Sequence, residues 1–260
     1  GLLARMPRLR WIQSLTVGVD HWLARPDLAP HIALTAARGT HRVQMPENIL
    51  GALFHITKPY SAIVAAQKEA RWNRRASETL AGKTLAILGL GAIGQELARK
   101  AAALEMTVIG TKRSPTPVAG VAEVLPPERT DEAIARAHFV VLLLPVTDTT
   151  RDLFDRSRLA RMRKDAWLLN FGRGQLVVDD EHVAAVKERT IAGAILDVFR
   201  TEPLPAEHAF WRTPGITVLP HIGGGHKDRD SWVATLFADN VALHLAGKPL
   251  KETVDRARGY

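Results

Sequence analysis

Six residues near the middle of the chain restrict its fold more than any others: Gly89-Leu90-Gly91-Ala92-Ile93-Gly94. They follow an apolar run at 84–88 and lead at once into a helical pattern at 95–104. Glycines at this spacing mean little alone, but between a strand and a helix they have a mechanical purpose. Gly89 permits a tight turn, Gly91 lets an anion approach the backbone, and Gly94 lets the helix pack close to the sheet. The N–H groups at the helix start, and its dipole, then face that anion. The pattern predicts a bound dinucleotide pyrophosphate; a glycine-rich turn without ligand is the alternative.

Further apolar runs at 107–110, 139–144, 167–170, 192–196 and 216–219 alternate with helical patterns at 156–162 and 180–188. The runs are rich in Val, Ile and Leu and lack strict alternation, as strands buried on both faces do. This predicts an α/β fold, a doubly wound parallel Rossmann sheet of about six strands. The flanks differ. Residues 11–15 and 32–34 read as strands of another sheet, and 46–68 and 228–245 as two long helices. A second, smaller domain made from both chain ends (1–75 and 227–260) is therefore expected around a dinucleotide-binding domain of residues 76–226.

Composition narrows the chemistry. The chain has no cysteine, which excludes disulfides, thiolate metal ligands and cysteine nucleophiles. Its ten histidines show neither HExxH nor paired ligand spacing, so no metal is expected. No apolar run approaches the roughly 18 residues of a membrane span, and the start lacks a signal-peptide layout. A cytoplasmic protein without a membrane partner is expected. The net charge of +8 is spread from Arg5 to Arg258 with no nucleic-acid motif. Such a surface attracts anionic small molecules rather than marking a nucleic-acid partner.

Sites for NAD commonly carry an acid about 20 residues past the glycines, on the ribose 2′-hydroxyl. Here Lys112 stands eighteen residues after Gly94, followed by Arg113 and Ser114. Two cations and a hydroxyl suit a 2′-phosphate, which a carboxylate would repel. The pattern favours NADP(H) and leaves NAD(H) open; two solvated cations at a strand end are the alternative.

Three later segments lie at predicted strand ends, the edge where open α/β sheets bind ligands. They are Asn170-Phe171-Gly172-Arg173-Gly174, Asp197-Val198-Phe199-Arg200-Thr201-Glu202-Pro203 and Pro220-His221-Ile222-Gly223-Gly224. In this order around one glycine loop, and with Gly247-Lys248-Pro249-Leu250 and Arg258-Gly259-Tyr260 near the end, the chain resembles the D-isomer-specific 2-hydroxyacid dehydrogenase family. Glyoxylate/hydroxypyruvate reductases belong to that family.

The resemblance implies hydride transfer between NADP(H) or NAD(H) and a small 2-oxo or 2-hydroxy acid. By position, Arg173 resembles the arginine that clamps the substrate carboxylate and carbonyl, His221 the acid/base, and Glu202 its paired carboxylate. Ketone reduction needs a proton donor beside the carbonyl oxygen, and an ionised Glu202 buried near His221 would keep the ring protonated. Arg173 offers a planar fork for the acid. Val17 and Gly18 resemble a loop whose backbone holds the substrate carboxylate. Ala92 and Ile93 would meet the pyrophosphate, while Leu144, Pro145, Phe171 and Gly172 would line the cofactor cleft. Asp197 would meet the nicotinamide carboxamide, with His221, Gly223 and Gly224 beside it.

Val17 stands where phosphite dehydrogenases have lysine, and Glu202 where formate dehydrogenases have glutamine; both readings are disfavoured. His226 and Gly172 replace the family's more usual Thr/Ser and Ala/Ser. Gly1 aligns inside the substrate domain, so this flavodoxin-like domain is expected to lack its first elements. The resemblance further implies a homodimer. A truncated or catalytically silent member acting as a dinucleotide-sensing binding protein is the competing expectation.

Overall fold

A computed structural model describes residues 3–259; Gly1 and Tyr260, both used in the resemblance above, lie outside the described residues. The chain opens with β1 (Trp11–Gln13), α1 (Asp20–Leu23), β2 (Ala33–Thr35), α2 (Gln44–Thr57) and α3 (Tyr60–Gln67). The central region follows: β3 (Thr84–Leu88), α4 (Ala92–Ala103), β4 (Thr107–Thr111), β5 (Glu123–Leu125), α5 (Thr130–Arg136) and β6 (Phe139–Leu142). It continues through α6 (Arg156–Leu159), β7 (Trp167–Asn170), α7 (Asp179–Lys187), β8 (Gly193–Leu196) and β9 (Ile216–Val218), and α8 (Arg229–Leu245) returns to the start of the chain.

Strands β3–β9 form one parallel seven-stranded sheet in the order β5-β4-β3-β6-β7-β8-β9. Its two faces bury separate cores. Along β3, Leu85 and Ile87 enter one and Ala86 and Leu88 the other; on β6, Phe139 and Val141 oppose Val140 and Leu142. Successive strand side chains point to opposite faces, so covering both faces with helices removes the polar alternation an exposed sheet would show.

The expected six strands become seven. β5 was not legible because it is three residues long, lies at the sheet edge and begins with Glu123, and edge strands tolerate charge. The single long helix expected at 46–68 is two helices bent by 67°. Lys58 precedes Pro59 and is extended (φ −112°, ψ 133°), because a proline ring disfavours helical geometry in the residue before it.

The two chain ends meet. β1 pairs in parallel with β2, and Thr35 bridges Thr253 near the C-terminus. Asn240 of α8, fully buried, donates to Gln13 Oε1 at 3.0 Å and accepts from Lys251 N at 2.8 Å. Trp11 stacks on Phe237 with ring centroids 5.5 Å apart. Among the described residues no single helix is long and apolar enough to cross a membrane.

His182, on α7, is fully buried edge-on to Phe210, and neither ring nitrogen has a hydrogen-bond partner. Burial pushes its pKa down from the ordinary 6.5 to about 4. As pH falls the unfolded chain therefore takes the proton first, so stability is complete above about 6.5 and drains away toward about 4. At about 1.4 kcal/mol per pKa unit, the loss is on the order of 3 kcal/mol. His182→Leu should flatten the fall in thermal midpoint between about pH 7 and pH 4.5. An unchanged slope would rule out this origin of acid sensitivity.

Candidate active site

Because the seven strands are parallel, the loops after them gather at one edge. At the reversal of strand order between β3 and β6 sits the glycine turn. Gly89 has φ +110°, and a Cβ there would lie 2.8 Å from Leu143 O; only glycine fits both demands. A Cβ on Gly94 would lie 2.2 Å from Gly89 O, so α4 packs directly on the turn. Gly91, by contrast, has nothing within 4 Å of the space a Cβ would take, and it starts a helix without a side-chain cap. An open hollow at a helix start, beside Ala92 and Ile93, fits a pyrophosphate.

The neighbouring loops complete this half of the edge. Leu90 N donates to Thr111 O at 2.9 Å, which sets Lys112, Arg113 and Ser114 next to the turn. Lys112 Nζ is exposed and donates to Thr116 Oγ1 at 3.0 Å. Leu144, followed by Pro145, stands between the turn and the Phe171-Gly172 backbone. Its Cδ2 lies 3.4 Å from a Cβ built on Gly89, and its O lies 2.9 Å from one built on Gly172. The residues present fit a dinucleotide.

The other half holds a cleft of about 580 Å³ lined by Val17, Gly18, Arg173, Glu202, His221 and Gly224 among others. His221 Nδ1 lies 2.6 Å from Glu202 Oε2, and Glu202 Oε1 accepts from Phe199 N at 2.9 Å. The backbone at His221 is left-handed, φ +52°, a conformation costing a side-chain-bearing residue about 1–3 kcal/mol. Asp197 holds it there. The residue is 1% exposed, and its Oδ1 and Oδ2 accept from Ile222 N and Gly223 N, each at 2.8 Å. Burial pushes the Asp197 carboxyl up, against the opposing pull of those two amides. Gly223 is required in the same place, because a Cβ would lie 2.7 Å from Asp197 Oδ2 and 2.9 Å from Phe171 Cδ1.

One expectation changes. Glu202 is not buried: its side chain is 34% exposed and that of His221 52%, because the cleft between the two sheets is open. Asp197, expected at a nicotinamide, accepts one backbone amide on each oxygen, which fixes the carboxylate beside the His221 turn.

Arg173 links the chain's two parts. Its Nε donates to Asp20 Oδ2 at 2.9 Å and its Nη1 to Gly172 O at 2.7 Å. Asn170 steadies this bend, donating to Arg173 O at 2.8 Å and accepting from Gly172 N at 3.1 Å. A Cβ on Gly18 would fall 1.4 Å from Arg173 Nη2, so the guanidinium rests directly against that glycine.

The sequence reading missed His41, Arg200 and Arg229, which also line the cleft, and it gave Asp20 no partner. Arg200 lies within the Asp197–Pro203 motif, whereas His41 and Arg229 reach the cleft only through tertiary structure. His226 stays out of the lining. Its Nε2 is 3.3 Å from Thr40 O and its ring 4.5 Å from that of Trp232.

Residues 50–223 match the family model for the NAD binding domain of D-isomer specific 2-hydroxyacid dehydrogenases. The chain belongs to that family. It is 31% identical to glyoxylate/hydroxypyruvate reductase A of Serratia proteamaculans, over 100% of this chain and 84% of that protein. It is also 31% identical to an (S)-sulfolactate dehydrogenase of Chromohalobacter salexigens, over 94% of this chain and 80% of the relative. Among solved structures, an NADPH-dependent glyoxylate/hydroxypyruvate reductase of Sinorhizobium meliloti, in complex with NADP and sulfate, superposes with a TM-score of 0.89. That pair is 32% identical over 100% of this chain and 83% of the other. Hydride transfer between a nicotinamide and a 2-hydroxy or 2-oxo acid is the chemistry of this dehydrogenase family.

The Gly18 contact can be tested in this family member. Gly18→Ala must drive the guanidinium away and break the Asp20–Arg173 pair, which is part-exposed and worth little to stability. Turnover should fall by about tenfold or more while the unfolding midpoint moves little. Normal turnover in the alanine variant would show that Arg173 does not need this seat.

Proposed function

We propose that this dehydrogenase reduces small 2-oxo acids to 2-hydroxy acids with NADPH in preference to NADH. The observation that carries the reading is the shared cleft, where the His221–Glu202 pair and the Arg173 guanidinium face one space. Bound NADPH supplies the hydride that reaches the carbonyl carbon.

The chain's own residues do the rest. Arg173, oriented through Nε and Nη1, offers Nη2 beside Gly18 to the acid's carboxylate and carbonyl oxygen. The Val17-Gly18 backbone holds the other side of the carboxylate. His221, gripped at Nδ1 by Glu202, delivers a proton from Nε2 to the developing alkoxide. Glu202 fixes the orientation of the ring through Nδ1, and part exposure keeps the ring within reach of water. Gly89, Gly91, Ala92, Ile93 and Gly94 cradle the pyrophosphate. Leu144, Pro145, Phe171, Gly172, Gly223 and Gly224 wall the cofactor cleft, and Asp197, fixed by the turn it builds, meets the nicotinamide carboxamide. Lys112, Arg113 and Ser114 pair with the 2′-phosphate. The names of the relatives, reductases and a sulfolactate dehydrogenase, support the same class.

In this reading residues 76–226 form the dinucleotide-binding domain and 1–75 with 227–260 the substrate domain, joined across the cleft by Asp20–Arg173. The reading also includes a homodimer. Tyr60, Val64 and Trp72 are 67%, 55% and 93% exposed on and beside α3, and exposed apolar side chains near one another support an interface. A scattering mass of one chain would overturn the dimer.

The deciding assay follows NADPH and NADH oxidation with glyoxylate, hydroxypyruvate and pyruvate. Turnover with NADPH is expected, and His221→Ala should lower it by about 10²–10⁴-fold with cofactor affinity little changed. Near-normal turnover of that variant would sink the acid/base assignment. In the same assay, Lys112→Asp with Arg113→Ala should raise the KM for NADPH more than tenfold, since charge-assisted contacts are worth about 1.5–3 kcal/mol each. Unchanged NADPH affinity would move the 2′-phosphate elsewhere.

A further inference from the structure

Beyond the residues given roles above, the cleft wall carries Arg229, at the start of α8, with His41 and Gly225. The acids in the lining are already matched: Asp20 with Arg173 at 2.9 Å, and Glu202 with His221 at 2.6 Å. Arg200, in the same wall, turns back to Asp152 and Asp179. Arg229 differs. Its acid partner, Asp230, has a 90% exposed side chain, where water and salt weaken the pair. Its other contact is the neutral carbonyl of Leu15.

His41 adds an independent observation. It is 8% exposed, its Nδ1 has no hydrogen-bond partner, and a Cβ on Gly224 would lie 2.9 Å from its Cδ2. Burial first, then the charge of Arg229 and His226, pushes its pKa down to about 4. A neutral ring therefore sits in a region of positive potential. The loop from Leu15 to Asp20 runs between two guanidiniums: Arg229 holds Leu15 O, and Arg173 lies against Gly18 and pairs with Asp20.

We infer that the cleft is built for short 2-oxo acids carrying a second anionic group (carboxylate, sulfonate or phosphate), with Arg229 meeting that group while Arg173 meets the first carboxylate. This rests on the reading of the cleft as a 2-oxo acid site. A monoanion leaves Arg229 with only a screened partner, whereas a dianion gives each guanidinium a charge-assisted contact at a spacing set by the loop. Positive walls with no unmatched acid concentrate such ligands before they bind.

The test compares kcat/KM, with NADPH, for glyoxylate and pyruvate against oxaloacetate, 3-sulfopyruvate and 3-phosphohydroxypyruvate. At least one dianion should exceed pyruvate by about 10- to 100-fold, and Arg229→Gln should erase most of that ratio while Arg229→Lys keeps part of it. The dianion that leads identifies the second group. Equal values for monoanions and dianions in the unaltered enzyme, or a ratio unmoved by Arg229→Gln, overturns the subsite and leaves the reductase reading standing. The first comparison holds even if the glutamine variant fails to fold. Should no 2-oxo acid support NADPH oxidation, the reductase reading fails, and calorimetry with tartronate against glycolate decides the subsite alone. Tighter tartronate binding that Arg229→Gln abolishes sustains it; equal binding overturns it.

Discussion

A parallel sheet buried on both faces governs this molecule. Leu85 and Ile87 serve one core while Ala86 and Leu88 serve the other, so no strand face is left for polar work. Parallel neighbours require crossover connections, which here run through helices such as α4 and α5. Each crossover starts from the same edge, and there the chain leaves the sheet into loops whose polar side chains are free of the two cores. The glycine turn, the Lys112–Ser114 segment, Arg173, Asp197, Glu202 and His221 all follow strand ends at that edge. The cores therefore fix where chemistry can occur before any polar side chain is chosen.

That rigid edge also tolerates local cost. His221 holds a left-handed backbone, and Asp197 keeps a carboxylate almost out of water. Neither would persist alone. Together they balance, since the two amides that satisfy Asp197 belong to the residues directly after the strained one. The result is an imidazole whose backbone is set by one acid and whose ring is set by another, Glu202. Pre-set orientation of this kind lets a catalytic group act without reorganising during the reaction.

Much of this was legible in the residues. Glycine spacing gave the turn because Gly89 and Gly94 each answer a separate steric demand of the fold, while Gly91 leaves an open hollow between them. Apolar runs gave six of the seven strands, since burial on both faces leaves an unbroken hydrophobic signature. What escaped had no local signature. β5 is short and charged, and the break between α2 and α3 depends on one proline whose surroundings otherwise read as helix. The approach of Asp20 to Arg173 spans 153 positions, and Arg229 reaches Leu15 across 214. Such contacts exist only after both sheets have packed. The expected burial of Glu202 failed for the same reason: an open cleft between two layers cannot be read from either layer's sequence.

The ion pairs at the cleft are better understood as orienting devices than as sources of stability. Arg173–Asp20 has side chains 31% and 44% exposed, and exposed pairs contribute only about 0–1 kcal/mol. Their geometry matters more. Asp20 takes Nε of Arg173, and the Gly172 carbonyl takes Nη1, which turns Nη2 to the Gly18 backbone. A lysine at the same position would present one mobile point charge and could not divide its donors this way. The acid consumes part of the guanidinium's charge, yet it converts a flexible side chain into a directed donor. It does so from the start of α1, so the direction exists only while the two parts of the chain stay together. The seat of the Arg173 guanidinium against Gly18 and its pair with Asp20 therefore depend on the same few atoms that join the two parts of the chain.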